Sequence, residues 1–488
     1  MKLSEILQNL DFKTNSAVEK IEIKDIQDDS RRVGKGDLFV AVSGTKSDGH
    51  DFIADTDKKG AAAIVIDDKM QVDIKSGAAV IKVKNTKDAL AVIADNFYGH
   101  PSKKIKAIGI TGTNGKTTTS YLIEEILRCG GFKAGIIGTI KHKTGKAEIE
   151  AKNTTPGVLE LTKLFSDMAS SSMNYVVMEV SSHSLDQGRI RGIEFERACF
   201  TNLTQDHLDY HKDFEGYFNA KAKLFVNLKK DKAAIINTDC GYGKRLAGLT
   251  KAKVIKCSLK EKTDAYIEDL KLTFDGMTFD MNLLGEKLAV HSPMIGRHNA
   301  YNILIASAVA KSLGIDNKSI IKAVENFRGA PGRLEFIKSD KGFKVFVDYA
   351  HTDDAISNVL KSLREVARSK IIIVFGAGGE RDKTKRPKMG KAASELADHV
   401  ILTSDNPRSE DPEMILKDIE KGMCHQNYEK ITDRKQAIEK AVLLAKKDDI
   451  VLIAGKGHET YQVFKDRTEH FNDKEVVEEI LGNFKKHL

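Results

Sequence analysis

The chain has 488 residues, 41% hydrophobic and 30% charged, with a formal net charge of +8. At ~150 residues per domain this is too long for one ordinary core and predicts three domains. Its longest apolar runs, 61–66 and 450–454, are too short to span a bilayer, and no basic block interleaved with aromatics appears, which excludes a membrane span and argues against nucleic acid.

The opening MKLSEILQNL sets Leu3, Ile6, Leu7 and Leu10 on one helical face and interrupts them with Glu5. That is unlike a secretory signal, so the expected address is the cytoplasm. Cys129, Cys199, Cys240, Cys257 and Cys424 are odd in number and lack CxxC spacing, which reads as reduced core thiols. Two breaks divide the chain. YGHPS at 98–102 ends a helix expected over 89–97, before a strand starting at Ile105. RGAPGR at 328–333 separates a helix over 319–327 from a strand over 334–337. The expected domains are 1–102, 103–331 and 332–488. In the second and third, short β-branched runs alternate with helix-period runs, so the fold class is α/β with a parallel sheet and crossover helices in each. Ligands of such sheets gather beyond the carboxyl ends of the strands.

A strand is expected over 106–110, followed by TGTNGKTT at 111–118 and by Leu122, Ile123, Ile126 and Leu127 at helical spacing. Strand, glycine loop and helix in that order suit a phosphate: the amides turn inward, the helix N-terminus adds its dipole, and Lys116 supplies a mobile charge. The candidate ATP-binding residues are therefore Gly112, Thr113, Asn114, Gly115, Lys116, Thr117 and Thr118, with Thr117 placed to ligate Mg²⁺. Ile110 stands where the strict Walker pattern requires a glycine.

YVVMEV at 175–180 is a strand with Glu179 near its end. That carboxylate is either an Mg²⁺ ligand, since hard cations prefer oxygen, or simply an exposed strand-end side chain. In TNLTQDHLDYH at 201–211, His207 and His211 are four apart, as a zinc pair on a helix would be. Leu208 replaces the Glu of the metalloprotease pattern, so a structural pair is preferred unless a metal-nucleotide lies nearby. Lys221, within NAKAKLF at 219–225, reads from composition as part of a solvated helix face.

Three strands near the C-terminus, 371–375, 399–403 and 450–453, run into GAGGER (376–381), SDNPR (404–408) and AGKGHE (454–459). If the strands are parallel, the three loops share one edge. Arg381 and Arg408 offer forked donors for carboxylates and Glu459 an acceptor for an ammonium, which fits a substrate with a second charged amino-acid head. Alternatively, Arg408 caps its loop against Glu410 or Asp411.

TGTNGKTT, NTTP (153–156), EVSSHSLDQGR (179–189), TNLTQDHLDYH and AKAKLF (220–225) closely resemble the Mur ligase family. DSR (29–31), GDLFVAVSG (36–44), DGHDFI (48–53), GRHNAYN (296–302), GRLE (332–335), DYAH (348–351), GGERD (378–382), DNPR (405–408) and GKGHE (455–459) look like its MurE branch, so the resemblance runs along the whole chain.

The resemblance implies a small N-terminal α/β domain holding a UDP group, a central P-loop ATPase-type parallel sheet, and a C-terminal Rossmann-like domain holding an amino acid, closing over one cleft. It implies that Ser30 contacts uridine and that Asn153, Thr154, Thr155, Ser181, Gln187 and Arg189 hold UDP-MurNAc-L-Ala-D-Glu. Glu179 and His207 would bind Mg²⁺, and Lys221 would be a carbamylated lysine helping to organise a second Mg²⁺. Asn302, Arg333 and Asp348 would hold the adenosine of ATP. Asp405, Asn406, Pro407 and Gly455 would join Arg381, Arg408 and Glu459 around the amino acid. Catalysis would rest on Lys116, Lys221 and His207.

DNPR resembles the version that takes meso-diaminopimelate. The implied activity is its ATP-dependent addition to UDP-N-acetylmuramoyl-L-alanyl-D-glutamate through an acyl phosphate, in peptidoglycan synthesis. The implied protein is a cytoplasmic monomer that binds neither nucleic acid nor membrane. Three alternatives separate cleanly. Lysine-adding members lack the DNPR arginine; a folylpolyglutamate synthetase-like ligase lacks the UDP domain and DNPR; a nucleotide-binding regulator predicts no amino-acid-dependent phosphate release. One position departs from the family pattern: Asp353 stands where a proline often follows DYAH, which leaves the local backbone shape open.

Overall fold

The computed structural model describes residues 1–44 and 47–486. The chain groups into two compact units, Met1–Lys116 with Gly130–Lys256, and Thr117–Cys129 with Cys257–Leu488.

The first unit opens on a four-stranded parallel sheet, β1 (Ile26–Gln27), β2 (Leu38–Val40), β3 (Ala63–Asp67) and β4 (Ala79–Val83), in that order. The pleat sends Leu38, Val40 and Val65 to one core and Phe39, Ile64 and Ile66 to another, so apolar residues run without alternation, as in a sheet covered on both faces. The predicted N-terminal helix forms over Leu3–Ile6, with Leu3, Ile6 and Leu7 buried. The helix expected over 89–97 begins earlier, at Thr86, because the Asn85 side chain accepts from the amides of Lys87 and Asp88 and caps it there.

The same unit holds β5 (Lys106–Thr111), β6 (Ala134–Ile137), β7 (Lys141–Lys143), β8 (Glu148–Glu150), β9 (Tyr175–Glu179), β10 (Phe195–Phe200), β11 (Ala233–Asn237) and most of β12 (Lys253–Ser258). Their order is β12-β11-β10-β5-β9-β6-β7-β8. β5 lies between β9 and β10, parallel to both, so three strand ends converge at its carboxyl edge.

In the second unit β13 (Ala265–Thr273), β14 (Gly276–Leu283) and β15 (Glu286–Ser292) form an antiparallel meander. β16 (Glu335–Lys338), β17 (Lys344–Asp348), β18 (Ile371–Phe375), β19 (His399–Leu402), β20 (Tyr428–Lys430) and β21 (Ile450–Ala454) make a second sheet, ordered β16-β17-β21-β18-β19-β20. Only β16 runs antiparallel. Ile371 and Ile373 face one core, Ile372 and Val374 the other, which is the doubly wound arrangement.

Two expectations need correction. Cys199 and Cys257 are buried, but Cys129 and Cys240 are half-buried and Cys424 is exposed, so none is in a disulfide and not all are core. Lys221 is not on a solvated helix face: it is 1% exposed within the helix Phe214–Val226. Composition could not reveal this, because the neighbour that buries it comes from a loop more than a hundred residues earlier. Asp353 leaves the backbone regular. It is the first residue of the helix Asp353–Arg364, capped by Thr352, a position where proline and aspartate are both at home.

Candidate active site

The loop after β5 is laced to the loop after β10. Thr113 N donates to Asn202 O at 2.9 Å and Asn114 N to Asn202 Oδ1 at 3.0 Å, while Thr201 Oγ donates to Asn114 O at 2.6 Å. Gly112 sits at φ +149°, where a Cβ would lie 1.9 Å from Thr201 Oγ; only glycine fits. Gly115 also has positive φ, +87°. Lys116 folds back on its own loop, its Nζ 2.9 Å from Gly112 O and 2.8 Å from Thr113 O. Lys221 Nζ reaches the same Gly112 carbonyl at 2.9 Å, beneath the Tyr217 ring at 4.5 Å. Burial, with Lys116 nearby, pushes the Lys221 ammonium well below its ordinary pKa; Asp206 opposes this.

Glu179, fully buried at the end of β9, accepts from Thr139 N at 2.9 Å and from Thr139 Oγ at 3.0 Å. The exposed strand-end alternative is thereby removed. A Cβ on Gly138 would meet Glu179 Oε1 at 2.4 Å, so the chain keeps room around that oxygen. From here a chain of contacts joins the acceptor-site candidates. Thr154 Oγ lies 3.1 Å from Thr139 Oγ, Thr155 Oγ donates to Glu179 O at 2.8 Å, and Ser181 N donates to Thr155 Oγ at 3.1 Å. Arg189 donates to Thr155 O at 3.0 Å and grips Gln187 Oε1 through Nε and Nη2. Asn153 is exposed beside this group, and Ser30, half-buried, follows the capping Asp29 in the N-terminal sheet region.

His207 takes a left-handed conformation, φ 52°, ahead of the short helix Leu208–His211, with Nε2 3.4 Å from Asp206 Oδ2. Its ring lies edge-on to His183 at 4.8 Å, while His211 turns to Ser182 Oγ at 2.9 Å. The two histidines thus have different partners. No group of three or more His, Cys, Asp or Glu side chains poised for a metal occurs among the described residues. The donors available here are a carboxylate, an imidazole and backbone carbonyls, which suit Mg²⁺ completed by phosphate and water oxygens better than a closed zinc site.

In the second unit Thr117 and Thr118 are buried at the start of the helix Lys116–Cys129, and Thr119 Oγ donates to Asn302 Oδ1 at 3.3 Å. Asn302 in turn donates to Asn299 Oδ1 at 3.0 Å. Asp348, at the end of β17, accepts from Leu334 N at 2.7 Å and Ala350 N at 2.8 Å, and burial raises its carboxyl pKa against the pull of Arg333. The Arg333 guanidinium lies 5.0 Å from the centre of the Tyr349 ring.

β18, β19 and β21 are parallel neighbours, so the loops carrying Arg381, Arg408 and Glu459 do share one edge. Asn406 Nδ2 donates to Glu459 Oε2 at 2.9 Å, and fully buried Lys456 bridges Asn406 Oδ1 and Glu459 Oε2, each at 3.1 Å. Gly455, at φ +114°, leaves space for the Asp405 carboxylate, which a Cβ would approach to 2.8 Å. Arg408 Nη1 donates to Gly379 O at 2.7 Å, and a Cβ on Gly379 would stand 1.9 Å from Pro407 O. Arg381 is exposed. Arg408 is not paired with Glu410 or Asp411: Arg386 holds Glu410, and Asp411 caps the helix Pro412–Glu420. The base of this edge is pinned by Arg434, whose fully buried ion pair with Asp473 (2.7 Å) is joined by donation to Ala454 O and Ser404 O.

Sequence reasoning passed over Asn202, Thr139, Tyr217 and Lys456. Tyr217 precedes Lys221 by four on one helix, a spacing that places both on one face. Lys456 lay inside a quoted motif, but a lysine between glycines gives no sign that it is buried.

Family models match in three segments: the Mur ligase family catalytic domain over 22–98, the Mur ligase middle domain over 110–310, and the Mur ligase glutamate ligase domain over 332–457. The chain belongs to the Mur ligase family and has its three-domain α/β architecture. Among its relatives, the UDP-N-acetylmuramoyl-L-alanyl-D-glutamate–2,6-diaminopimelate ligase of Clostridium tetani is 46% identical over 490 residues, 99% of each chain. The ligase of the same name from Bacillus cereus is 45% identical over 469 residues, 95% of each. A solved structure of a ligase of that name superposes with a TM-score of 0.72 at 32% identity, covering 99% of both chains. No helix among the described residues is long and apolar enough to cross a membrane.

Proposed function

We propose that this protein adds meso-2,6-diaminopimelate to UDP-N-acetylmuramoyl-L-alanyl-D-glutamate, consuming ATP and giving the UDP-MurNAc-tripeptide, ADP and phosphate for peptidoglycan synthesis in the cytoplasm. The observation that carries the reading is the edge beyond β18, β19 and β21, where Arg408 stands unneutralised by its own loop near the Asn406–Glu459 pair. A diamino diacid needs such a site: a forked cation for the distal carboxylate and acceptors for the ammonium beside it. The full-length likeness to the 2,6-diaminopimelate ligases supports the same substrate.

A carboxylate does not condense with an amine in water, because oxide is a poor leaving group; phosphorylation makes the group leave as phosphate. The loop amides of Gly112 to Thr118 hold the nucleotide phosphates, and Lys116, released from its own carbonyls, neutralises the transferring phosphoryl group. Thr154, Thr155, Ser181, Gln187 and Arg189 orient the acceptor, with Asn153, so that its D-Glu carboxylate meets the phosphoryl group in line; Ser30 meets the uridine. Asn302, Arg333 and Asp348 hold the adenosine. Thr117, Glu179 and His207 would hold Mg²⁺, which would supply charge neutralisation on the phosphoryl oxygens. The lowered pKa of Lys221 favours its neutral amine, whose addition to CO₂ with release of a proton would give a carbamate and add a carboxylate to this oxygen-rich site. Arg381, Asp405, Asn406, Pro407, Arg408, Gly455 and Glu459 present the incoming amine to the acyl phosphate. The three domains assigned to these tasks are 1–102, 103–331 and 332–488.

The deciding experiment is phosphate release with UDP-MurNAc-L-Ala-D-Glu and a panel of amino acids. Release that depends on meso-diaminopimelate supports the reading. Equal catalytic efficiency with L-lysine overturns the choice of amine, and release with no amino-acid dependence overturns ligation.

A further inference from the structure

Glu410 lies two residues beyond Arg408 on the same loop, close enough in sequence to neutralise it. The structure directs Glu410 elsewhere. Arg386, 1% exposed on the helix Lys385–Leu396, grips Glu410 with both terminal nitrogens, Nη1 to Oε2 and Nη2 to Oε1, each at 3.0 Å. The same guanidinium reaches Asp418 Oδ2 at 3.1 Å and Gly378 O at 3.3 Å. Glu410 Oε1 also accepts from Glu380 N at 2.6 Å, and Lys383 Nζ lies 3.2 Å from Oε2. Arg386, followed by the Glu380 amide, holds the Glu410 carboxyl at a pKa of about 2, so it is anionic throughout the working range. Arg408 spends one donor on Gly379 O, and its Nε and Nη2 have no hydrogen bond among the described residues.

We propose that Arg386 is a specificity-determining positioning residue: by binding Glu410 and tying it to the Gly378–Glu380 backbone, it keeps Arg408 clear of a carboxylate from its own loop and open for the distal carboxylate of the amino-acid substrate. This rests on the reading of Arg408 given above. The physical argument is competition. A carboxylate tethered two residues away acts at an effective concentration of order millimolar or more, and it would displace a free substrate carboxylate from the same guanidinium. A fork that matches both Glu410 oxygens outbids Arg408 for it, and the backbone bond from Glu380 fixes the choice. Arg386 touches neither substrate nor nucleotide in this account; it acts through Glu410.

The test is steady-state kinetics of the full chain as R386M, E410Q and R386M/E410Q, with KM measured separately for meso-diaminopimelate, ATP and the UDP-linked acceptor. R386M is expected to raise the KM for meso-diaminopimelate about tenfold, with the other two KM values within about twofold, and to erode discrimination against L-lysine. E410Q alone should leave all three near wild type, and R386M/E410Q should recover most of the loss, because the competing charge is gone. An unchanged meso-diaminopimelate KM in R386M, an equal rise of all three KM values, or no recovery in the double variant would overturn the proposal. If R386M does not fold by thermal melting, R386K keeps the cation without the fork; an intermediate KM supports the proposal and a wild-type KM overturns it. Wild-type turnover separates the two layers. No turnover with meso-diaminopimelate removes the reading of the site, whereas normal turnover with an unmoved R386M removes only this inference.

Discussion

Lys221 and Lys116 both place their side-chain nitrogens 2.9 Å from the carbonyl oxygen of Gly112. Two potential cations on one neutral acceptor repel each other, and the buried one yields its proton more easily. Lys221→Met is therefore expected to keep its fold and lose ligation by about 10²–10³-fold, the range for removing a preorganised charge near a transferring group. Intact mass spectrometry of wild type in bicarbonate should show the addition of one CO₂, absent from Lys221→Met. A wild type without the adduct, together with an active variant, would refute the assignment.

Lys116→Ala should remain folded by circular dichroism and lose ligation by a similar factor, about 10²–10³. Near-normal phosphate release would show that the loop neutralises its anion by other means.

Arg408→Ala removes the fork proposed above for the distal carboxylate. At about 1.5–3 kcal/mol for a hydrogen bond to a charged group, efficiency with meso-diaminopimelate should fall ~10–100-fold, with little change in the KM for ATP. A proportional fall for every substrate would point to damage to the loop and not to recognition.

Arg434→Met should cost about 3–5 kcal/mol, because it strands the Asp473 carboxylate without its partner in a fully buried position. Denaturant unfolding measures this directly. The double variant Arg434→Met/Asp473→Leu should regain much of the loss.

Glu410 is held near pKa 2 against an ordinary 4.5. Its stabilising contribution is complete above about 4.5 and drains away as pH falls toward 2. Urea midpoints of wild type and Glu410→Gln followed over that window should converge as pH falls. A constant gap between them would contradict the shift.

The sequence was most legible where local pattern and tertiary role agree. IIIVF at 371–375 became a strand with the predicted bounds because every side chain in it is buried. The strand, glycine loop and helix around Lys116 were readable because they are contiguous. Lys221 was misread from composition, since its burial depends on Gly112 and Tyr217 arriving from elsewhere in the fold. Arg386 had no local signal either: a basic residue in a lysine-rich helix start looks solvated until Glu410 and Asp418 close on it.

The loops beyond β18 and β19 meet backbone to backbone. A methyl on Gly376 would lie 2.1 Å from Thr403 O, and one on Gly379 would lie 1.9 Å from Pro407 O. Segments in such contact tolerate neither insertion nor deletion, since a single added residue would lift one strand's exit off the next. Divergence at this edge is thus confined to exchanging side chains on a fixed frame. On the proposed reading of this edge, an enzyme of the same lineage that took a different amine would keep these loop lengths and change its preference through side chains such as those at 381 and 408.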